Sequence, residues 1–396
     1  MRTSDVILMT FFKDTILQEG YKFSKSGVYY SLTCDGDRPY QSYVDYINSL
    51  PINPEPEVFG MHENANITCA QSETYEAFDI ILSLQPRVSA GAGKSREDII
   101  GDTAKSIESK LPAPFDLEHV QAKYPVSYTE SMNTVLAQEV ERFNKLLNVM
   151  SSTLKLVQKG LKGLVVMSAE LEAMGNALYD QKVPTIWESK AYPSLKPLSP
   201  WVKDLLDRLE FIAKWIDHGI PSVFWISGFF FPQGFMTGTI QNHARKYKLP
   251  IDSLSFQFIM MPDDVHELTS KPEDGCYMYG LFIEGARWNK DAYSLDDPLP
   301  RELFAKMPVI HLLPKPNREQ PKEGIYRCPV YKILTRTGTL STTGHSTNFV
   351  MWIEIPSKKK TIWRNSLVSE TNAQILFCDQ EYWIKAGVAC FCALRY

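Results

Sequence analysis

The stretch that ends in Gly93, Lys94 and Ser95 has the residue types of a phosphate-binding loop. In such a loop, spaced Gly-x-x-x-x-Gly-Lys-Ser/Thr, backbone N–H groups surround the phosphates and the lysine neutralises their charge. The position of the first glycine is occupied by Val88, whose branched side chain resists the positive φ that glycine often supplies there. Pro86 makes the preceding segment a poor central strand, because it has no N–H for a sheet. We therefore predict a degenerate loop that binds no cofactor, in which Gly93, Lys94 and Ser95 only resemble nucleotide-binding residues.

Two other stretches resemble catalytic or metal motifs but lack a required residue. The segment from Gly344 to Asn348 ends in Asn where the nucleophile turn of α/β-hydrolases has Gly, so we interpret it as a turn between strands. His62 begins a zinc-protease-like stretch that has no second histidine on the same helix face. The acidic pairs at 263–264 and 296–297 lie in polar loops beside prolines, where solvated carboxylates are expected. We therefore predict no catalytic residue and no metal site.

The composition is typical of a folded protein of two or three domains, with 396 residues, 44% hydrophobic and 22% charged. The formal net charge of −4 gives no electrostatic reason to expect a nucleic-acid or membrane-surface partner. The most apolar run, 223–231, stops at Pro232 and is shorter than the roughly 20 residues that span a bilayer. The N-terminal residues do not have the layout of a signal peptide. We expect a soluble intracellular protein with no nucleic acid and no membrane among its partners.

The seven cysteines are scattered and include no Cys-x-x-Cys pair, which indicates reduced thiols and not a disulfide framework. Cys390 and Cys392 are two residues apart, as on one face of a strand. A soft metal between them is the alternative, but no further Cys or His lies close in sequence to complete such a site. We therefore favour burial of both thiols.

A long apolar stripe with alternating spacings of four and three predicts a helix from about residue 130. The stripe consists of Leu136, Val140, Phe143, Leu147, Met150, Leu154, Val157, Leu161 and Leu164. Either a coiled-coil seam or a long core helix fits this pattern. We favour the core helix, because Gly160 and Gly163 would weaken a continuous rod.

The rest of the chain predicts further helices and then strands. An apolar face at Leu205, Leu209, Ile212 and Ile216 predicts a second helix that ends at 219–221, and 241–248 belongs to another. Strands are predicted within 277–285, 309–313, 330–334 and 349–355, short segments rich in β-branched and aromatic residues. Successive strands without helices between them favour an antiparallel sheet or barrel, and hence an α+β fold.

Segments spread over nearly the whole chain together resemble the end of a dynein heavy chain. In the family's order they are 59–65, 85–87, 93–95, 124–136, 162–168, 224–231, 279–288, 307–312 and 338–350. The length and order of these segments make the resemblance specific. The segments resemble those of axonemal dyneins more than those of cytoplasmic dyneins.

The resemblance implies an α+β chain in three parts. Residues 1–110 would be the C-terminal part of a degenerate AAA+ large subdomain in the sixth module, and 111–200 that module's helical small subdomain. Residues 201–396 would be the dynein C-terminal domain, with helices to about 270 and an antiparallel β-barrel over about 275–396. In the family the sixth module binds no nucleotide, so ATP and Mg²⁺ are implied only for the rest of the motor.

The implied function is that of a non-catalytic segment that braces the motor ring and transmits conformational change. The implied partners are other AAA+ modules of the ring, dynein complex subunits and, through the rest of the heavy chain, microtubules. The implied location is the cytoplasm and cytoskeleton, in the axoneme of a cilium or flagellum. Exposed aromatic residues within 223–235 would contact the ring.

Two features depart from the family's pattern. A longer stretch than usual separates Ser357 from Trp383, which predicts an insertion over 358–382 and leaves the register of the last strands open. Met1 opens the chain inside a module, so we expect a fragment or a truncated product. The alternative function is therefore a stand-alone dynein-like adaptor without motor activity.

Overall fold

The computed structural model describes residues 20–22, 27–30, 32, 39–52, 55–59, 61–84, 95–316, 324–336, 347–358, 361–362, 376–377 and 379–395. Gly93, Lys94, the segment 344–346 and most of the predicted insertion over 358–382 therefore lie outside the described residues.

Helices dominate the described chain up to about residue 250. They are α1 (Tyr40–Ser49), α2 (Asn64–Leu84), α3 (Arg96–Lys110), α4 (Leu117–Lys123), α5 (Ser131–Leu161), α6 (Ala169–Tyr179), α7 (Thr185–Glu188), α8 (Leu198–His218) and α9 (Pro232–Tyr247), with α10 (Asp379–Lys385) near the C-terminus. The N-terminal caps follow from sequence, since Asp116 and Ser168 accept backbone N–H groups at the starts of α4 and α6. Within the described residues, no helix combines the length and apolar character needed to cross a membrane.

The longest helix, α5, confirms most of the predicted apolar stripe. Its residues from Leu136 to Val157 on that stripe are buried by the same chain, as expected of a core helix. The prediction for Leu164 is wrong, because the helix ends at Leu161 and Leu164 is 71% exposed. Gly163 causes this end by adopting φ +70°, a left-handed conformation that closes helices.

The remaining helix predictions hold with one change of boundary. Helix α8 buries the predicted face of Leu205, Leu209, Ile212 and Ile216 and ends before Gly219. The helix predicted at 241–248 begins earlier, as α9, because Pro232 occupies its first turn, where a missing N–H costs nothing.

Beyond residue 220 the chain forms sheets. The strands are β1 (Val223–Trp225), β2 (Leu254–Met260), β3 (Cys276–Tyr279), β4 (Phe282–Glu284), β5 (Arg287–Asn289), β6 (Ser294–Asp296), β7 (Phe304–Lys306), β8 (Ile310–Pro316), β9 (Ile325–Tyr331), β10 (Phe349–Pro356), β11 (Thr361–Ile362), β12 (Leu376–Phe377) and β13 (Ala389–Phe391). One sheet has the order β1-β3-β8-β2, another β10-β9-β13-β4-β7, and β5-β6 and β11-β12 form separate pairs.

The predicted strand over 277–285 is two strands in two sheets. Gly280 separates them with φ +100°, and a Cβ there would lie 2.5 Å from Cδ1 of Trp225. The chain therefore passes from the four-stranded to the five-stranded sheet at a position that favours glycine. The strand predicted at 330–334 is also displaced, since β9 ends at Tyr331.

The α+β class is confirmed, but the sheets are not wholly antiparallel. β1 pairs with β3 in parallel, and β13 pairs with β9 in parallel. In each pair a long stretch of chain connects the two strands, which is what a parallel pairing requires. Closure of the strands into a barrel stays a prediction.

One hydrophobic core joins helices α3 to α10 to both larger sheets. It runs from Ile100 in α3 to Cys392 after β13 and crosses the predicted domain limit near residue 200. The three-part division of the chain stays a prediction.

The aromatic run over 223–235 lies mostly inside this core. Phe224, Phe229 and Phe235 are 4%, 2% and 0% exposed, and their ring centroids lie 4.7–6.3 Å from one another. Among the described aromatics of this run Phe231 is the markedly exposed one, at 41%. The contact that was predicted for exposed aromatics of this run therefore concerns Phe231, and for Phe231 it stays a prediction.

Candidate functional site

The one described residue of the phosphate-loop look-alike, Ser95, caps a helix. Its Oγ accepts the N–H of Asp98 at 3.1 Å, and the Asp98 carboxylate accepts the Ser95 N–H at 3.2 Å. This reciprocal pair closes the first turn of α3. The prediction that Gly93, Lys94 and Ser95 bind no nucleotide stays a prediction.

The hydrolase-like and zincin-like segments both contain a structural asparagine. Asn348 is 4% exposed, and its side chain forms hydrogen bonds with backbone groups of Ile333 and Thr335. Asn64, two residues after His62, is 6% exposed. It donates to the carbonyls at 299 and 302 and accepts the N–H of residue 301. Asn64 therefore ties the N-terminal region to the loop before β7.

The acidic pairs have electrostatic partners at the surface and in the sheets. Asp264 is 3.8 Å from Lys290, and both side chains are largely exposed. Asp296 pairs with Arg287 at 2.9 Å, and Asp297 accepts the hydroxyl of Tyr382 at 2.6 Å. Within the described parts of the chain, no three His, Cys, Asp or Glu side chains lie close enough to hold a metal ion.

The predicted burial of Cys390 and Cys392 is confirmed, at 0% and 5% exposed. Cys390 Sγ lies 3.6 Å from Cys328 Sγ, and the cysteines described are free thiols. Burial raises the pKa of Cys392 to about 12, so the thiol stays protonated at neutral pH.

One cavity of about 210 Å³ contains both a cysteine and a histidine, Cys276 and His243. Burial raises the pKa of the Cys276 thiol to about 12 and lowers the pKa of His243. The thiol is 3.5 Å from the hydroxyl of Thr239. A protonated buried thiol is a poor nucleophile, so this pair does not form an activated catalytic dyad.

The most elaborate polar cluster joins α5, α8 and the segment just before α9. Glu139 of α5 is 1% exposed and accepts the backbone N–H of Phe230 at 2.6 Å and of Phe231 at 3.0 Å. Arg142, three residues along the helix, lies 3.4 Å from the same carboxylate. Helix α9 starts at Pro232 without a side-chain cap of its own, and the Glu139 oxygens accept the two backbone N–H groups just before that start.

A buried ion network continues from this point into α8. Asp204 contacts Arg208 Nε at 2.7 Å and Lys196 Nζ at 2.6 Å. Arg208 is 3% exposed and donates to the carbonyl of Phe229 at 3.4 Å. Its guanidinium lies 3.7 Å from the ring centre of Tyr192. The backbone of the segment 229–231 is thus held by both Glu139 and Arg208. We name Glu139, Lys196, Asp204 and Arg208 the junction network.

The acids of the junction network have pKa values shifted in opposite directions. Burial raises the pKa of Glu139, although the two backbone N–H groups and Arg142 oppose the rise. Burial would also raise the pKa of Asp204, but Arg208 and Lys196 together hold it below its ordinary value. The network therefore joins neighbouring elements through paired polar and charged groups.

Sequence reasoning missed the junction network, although a signal was present. Glu139 lies on the buried stripe of α5 between Leu136 and Phe143, where a charged residue needs a partner. Asp204 and Arg208 have the i, i+4 spacing of a helical ion pair beside the apolar face of α8.

The α5–α9 contact continues at the opposite end of α9. Asn242 accepts the backbone N–H of Ser131 at 2.8 Å, and Arg245 donates to the hydroxyl of Ser131 at 2.6 Å. Between these ends the helices approach closely at Gly238, where a Cβ would lie 3.1 Å from Val135. Helix α9 is therefore joined along its length to the first turns of α5, from Ser131 to Glu139.

Comparisons with known proteins give a consistent identification. The family model of the C-terminal domain of dynein heavy chains matches residues 71–392, and that of the AAA lid domain of dynein heavy chains matches residues 1–65. Dynein axonemal heavy chain 1 of Homo sapiens is 50% identical over 98% of this chain, and dynein axonemal heavy chain 3 of Homo sapiens is 45% identical over 98%. The chain spans only 9% of the length of each of these relatives. It belongs to the family of dynein heavy chains and has that family's C-terminal domain.

Proposed function

We propose that this chain is the non-catalytic C-terminal segment of an axonemal dynein heavy chain, and that it braces the motor ring and transmits conformational change. Its partners are then other AAA+ modules of the ring, dynein complex subunits and, through the rest of the heavy chain, microtubules. ATP and Mg²⁺ bind outside these residues. The location is the cytoskeleton of a cilium or flagellum, in the axoneme.

The observation that carries this proposal is the rigid joint between α5 and α9. Both helices lie within residues 71–392, which match the C-terminal domain model, so the joint connects two parts of that domain, the helices around α5 and the sheets that follow α9. Hydrogen bonds at both ends of α9 and the shared core make rotation of one part move the other. A packed element of this kind transmits a rigid-body movement without chemistry of its own.

The proposal is tested in a chimera of human dynein axonemal heavy chain 1 in which this chain replaces the matched residues. Glu139→Gln removes one carboxylate acceptor at the α5–α9 joint, and Glu141→Gln alters an exposed acid on the same helix. We expect Glu139→Gln to slow microtubule gliding severalfold while ATP turnover persists, and Glu141→Gln to change neither. Equal gliding by both variants would overturn the bracing role.

Calorimetric titration of the chain with Mg-ATP tests its lack of catalysis. We expect no heat of binding. Tight ATP binding that Lys94→Ala abolishes would show a working phosphate loop and contradict the proposal.

A further inference from the structure

The turn between α5 and α6 exposes four consecutive apolar side chains. Leu164, Val165, Val166 and Met167 are 71%, 38%, 89% and 38% exposed. Leu156, on the last turns of α5, is 40% exposed. We name the residues 164–167 the apolar turn. Adjacent exposed apolar side chains of this kind mark contact surfaces.

The backbone at both ends of the apolar turn is fixed by hydrogen bonds. At the end of α5 the Leu164 N–H donates to the carbonyl of Lys159 at 2.9 Å, with Gly163 at φ +70°. In this type of helix end the residue at the position of Leu164 usually packs back on the helix, but here it points into solvent. At the start of α6, Ser168 accepts the N–H of Leu171 at 3.3 Å. The turn is therefore built to present apolar side chains outward.

Charge surrounds the turn on the side of α5. Lys155, Lys159 and Lys162 are exposed on the last two turns of α5 and just after it, whereas the exposed acids Glu170 and Glu172 lie on the other side, in the first turn of α6. A surface that covers the turn and has carboxylates where it meets these lysines would be complementary in both apolar and charged character.

The size of the apolar turn decides what kind of occupant it suits. A stable complex between separate proteins buries about 800 Å² on each partner, far more than four side chains on one turn provide. A covalently connected partner needs less area, because the connection supplies a high effective concentration. Under the proposed function this chain is a segment of a longer heavy chain, and the rest of that heavy chain is then such a connected partner.

We propose that the apolar turn docks on an acid-rimmed apolar surface of another AAA+ module of the same heavy chain. This inference rests on the proposed function, to which it adds the contact surface and the chemistry of its partner. It differs from the junction network, which acts inside the chain.

The test uses the chimera and, for comparison, this chain alone. A photo-crosslinking benzoylphenylalanine replaces Val166, and hydrogen exchange is followed at residues 162–168. We expect crosslinks to heavy-chain residues outside this chain, and exchange at least about tenfold slower in the chimera than in the chain alone. Val166→Asp should remove the slowing, while Val126→Asp, at a residue 60% exposed elsewhere on the surface, should retain it.

The outcomes separate this inference from the proposed function. Crosslinks between two copies of the chain, crosslinks within this chain alone, or equal exchange in both samples would overturn the docking of the turn. If Glu139→Gln still uncouples gliding from ATP turnover, the bracing role survives that failure. The melting temperature of the Val166→Asp chain should equal that of the wild type, because the side chain is 89% exposed.

Discussion

Truncation of Glu139 to alanine should loosen the joint between α5 and α9 measurably. The change removes the acceptor of the Phe230 and Phe231 N–H groups, at 2.6 and 3.0 Å. A donor left without its partner in a buried site costs about 1–3 kcal/mol. Phe231 is 41% exposed, so its N–H can bond water and contributes less. The lost Cγ methylene adds about 0.8 kcal/mol. We expect Glu139→Ala to lower the free energy of unfolding by about 2–4 kcal/mol.

Urea unfolding followed by tryptophan fluorescence measures this loss, with hydrogen exchange at the start of α9 as a local readout. Glu139→Gln keeps the volume and one acceptor oxygen, so it should cost about 1–2 kcal/mol. The matched control is Glu141→Ala on the same helix. Glu141 and its ion-pair partner Lys145 are both exposed, so this substitution should change the free energy of unfolding by less than about 0.5 kcal/mol. Equal losses for Glu139→Ala and Glu141→Ala would refute the reasoning, because they would mean that the α9 start does not depend on the buried carboxylate.

Three further predictions follow from individual residues. Ser95→Ala should lower the helicity of α3 and cost about 1 kcal/mol in urea unfolding, because it removes the N-cap; no loss would contradict the capping role. Gly275→Ala should destabilise the chain far more than Gly219→Ala, as measured by melting temperature. Both have positive φ and share a strain of about 1–2 kcal/mol, but a Cβ at Gly275 would lie 1.9 Å from a carbonyl oxygen whereas Gly219 faces open space. The contributions of Glu139 and Asp204 to the free energy of unfolding should change with pH in opposite directions. The raised pKa of Glu139 makes its contribution fall as pH rises through that pKa, and Glu139→Gln should remove this decline. The lowered pKa of Asp204 makes its contribution fall as pH drops through that pKa, and Asp204→Asn should remove that loss; unchanged pH profiles would refute both assignments.

The periodic parts of the fold could be predicted from the sequence. The buried faces of α5 and α8 follow from spacings of three and four, which place those side chains on one side of a helix wherever the helix packs. The strands rich in β-branched and aromatic residues, such as β8 and β10, were likewise predictable from local pattern.

Local pattern failed where a single backbone conformation decided the outcome. The stripe of α5 continues in sequence to Leu164, but Gly163 turns the chain out of the helix first. The strand pattern over 277–285 is continuous, but Gly280 divides it between two sheets. A glycine permits several conformations, so its presence does not say which one the packed neighbours require.

The candidate site was less predictable than the fold. Motif comparison selected residues around the phosphate-loop look-alike, where Ser95 serves as a helix cap. The junction network was overlooked, because its members come from separate helices and no single stretch contains them. Glu139 and Phe230 are 91 residues apart in the chain and 2.6 Å apart in the fold.

The sequence by itself determined the family, the α+β class, the long helix α5 and the apolar faces that must be buried, because these depend on residue type and short-range spacing. The tertiary structure alone decided that the aromatic run over 223–235 lies inside the core and that Glu139 holds the start of α9. It also decided that the apolar turn remains in solvent. Those outcomes depend on contacts between segments that are far apart in the sequence. The free energy of burying a side chain is set by the neighbours it packs against in the fold, and the local sequence does not specify those neighbours.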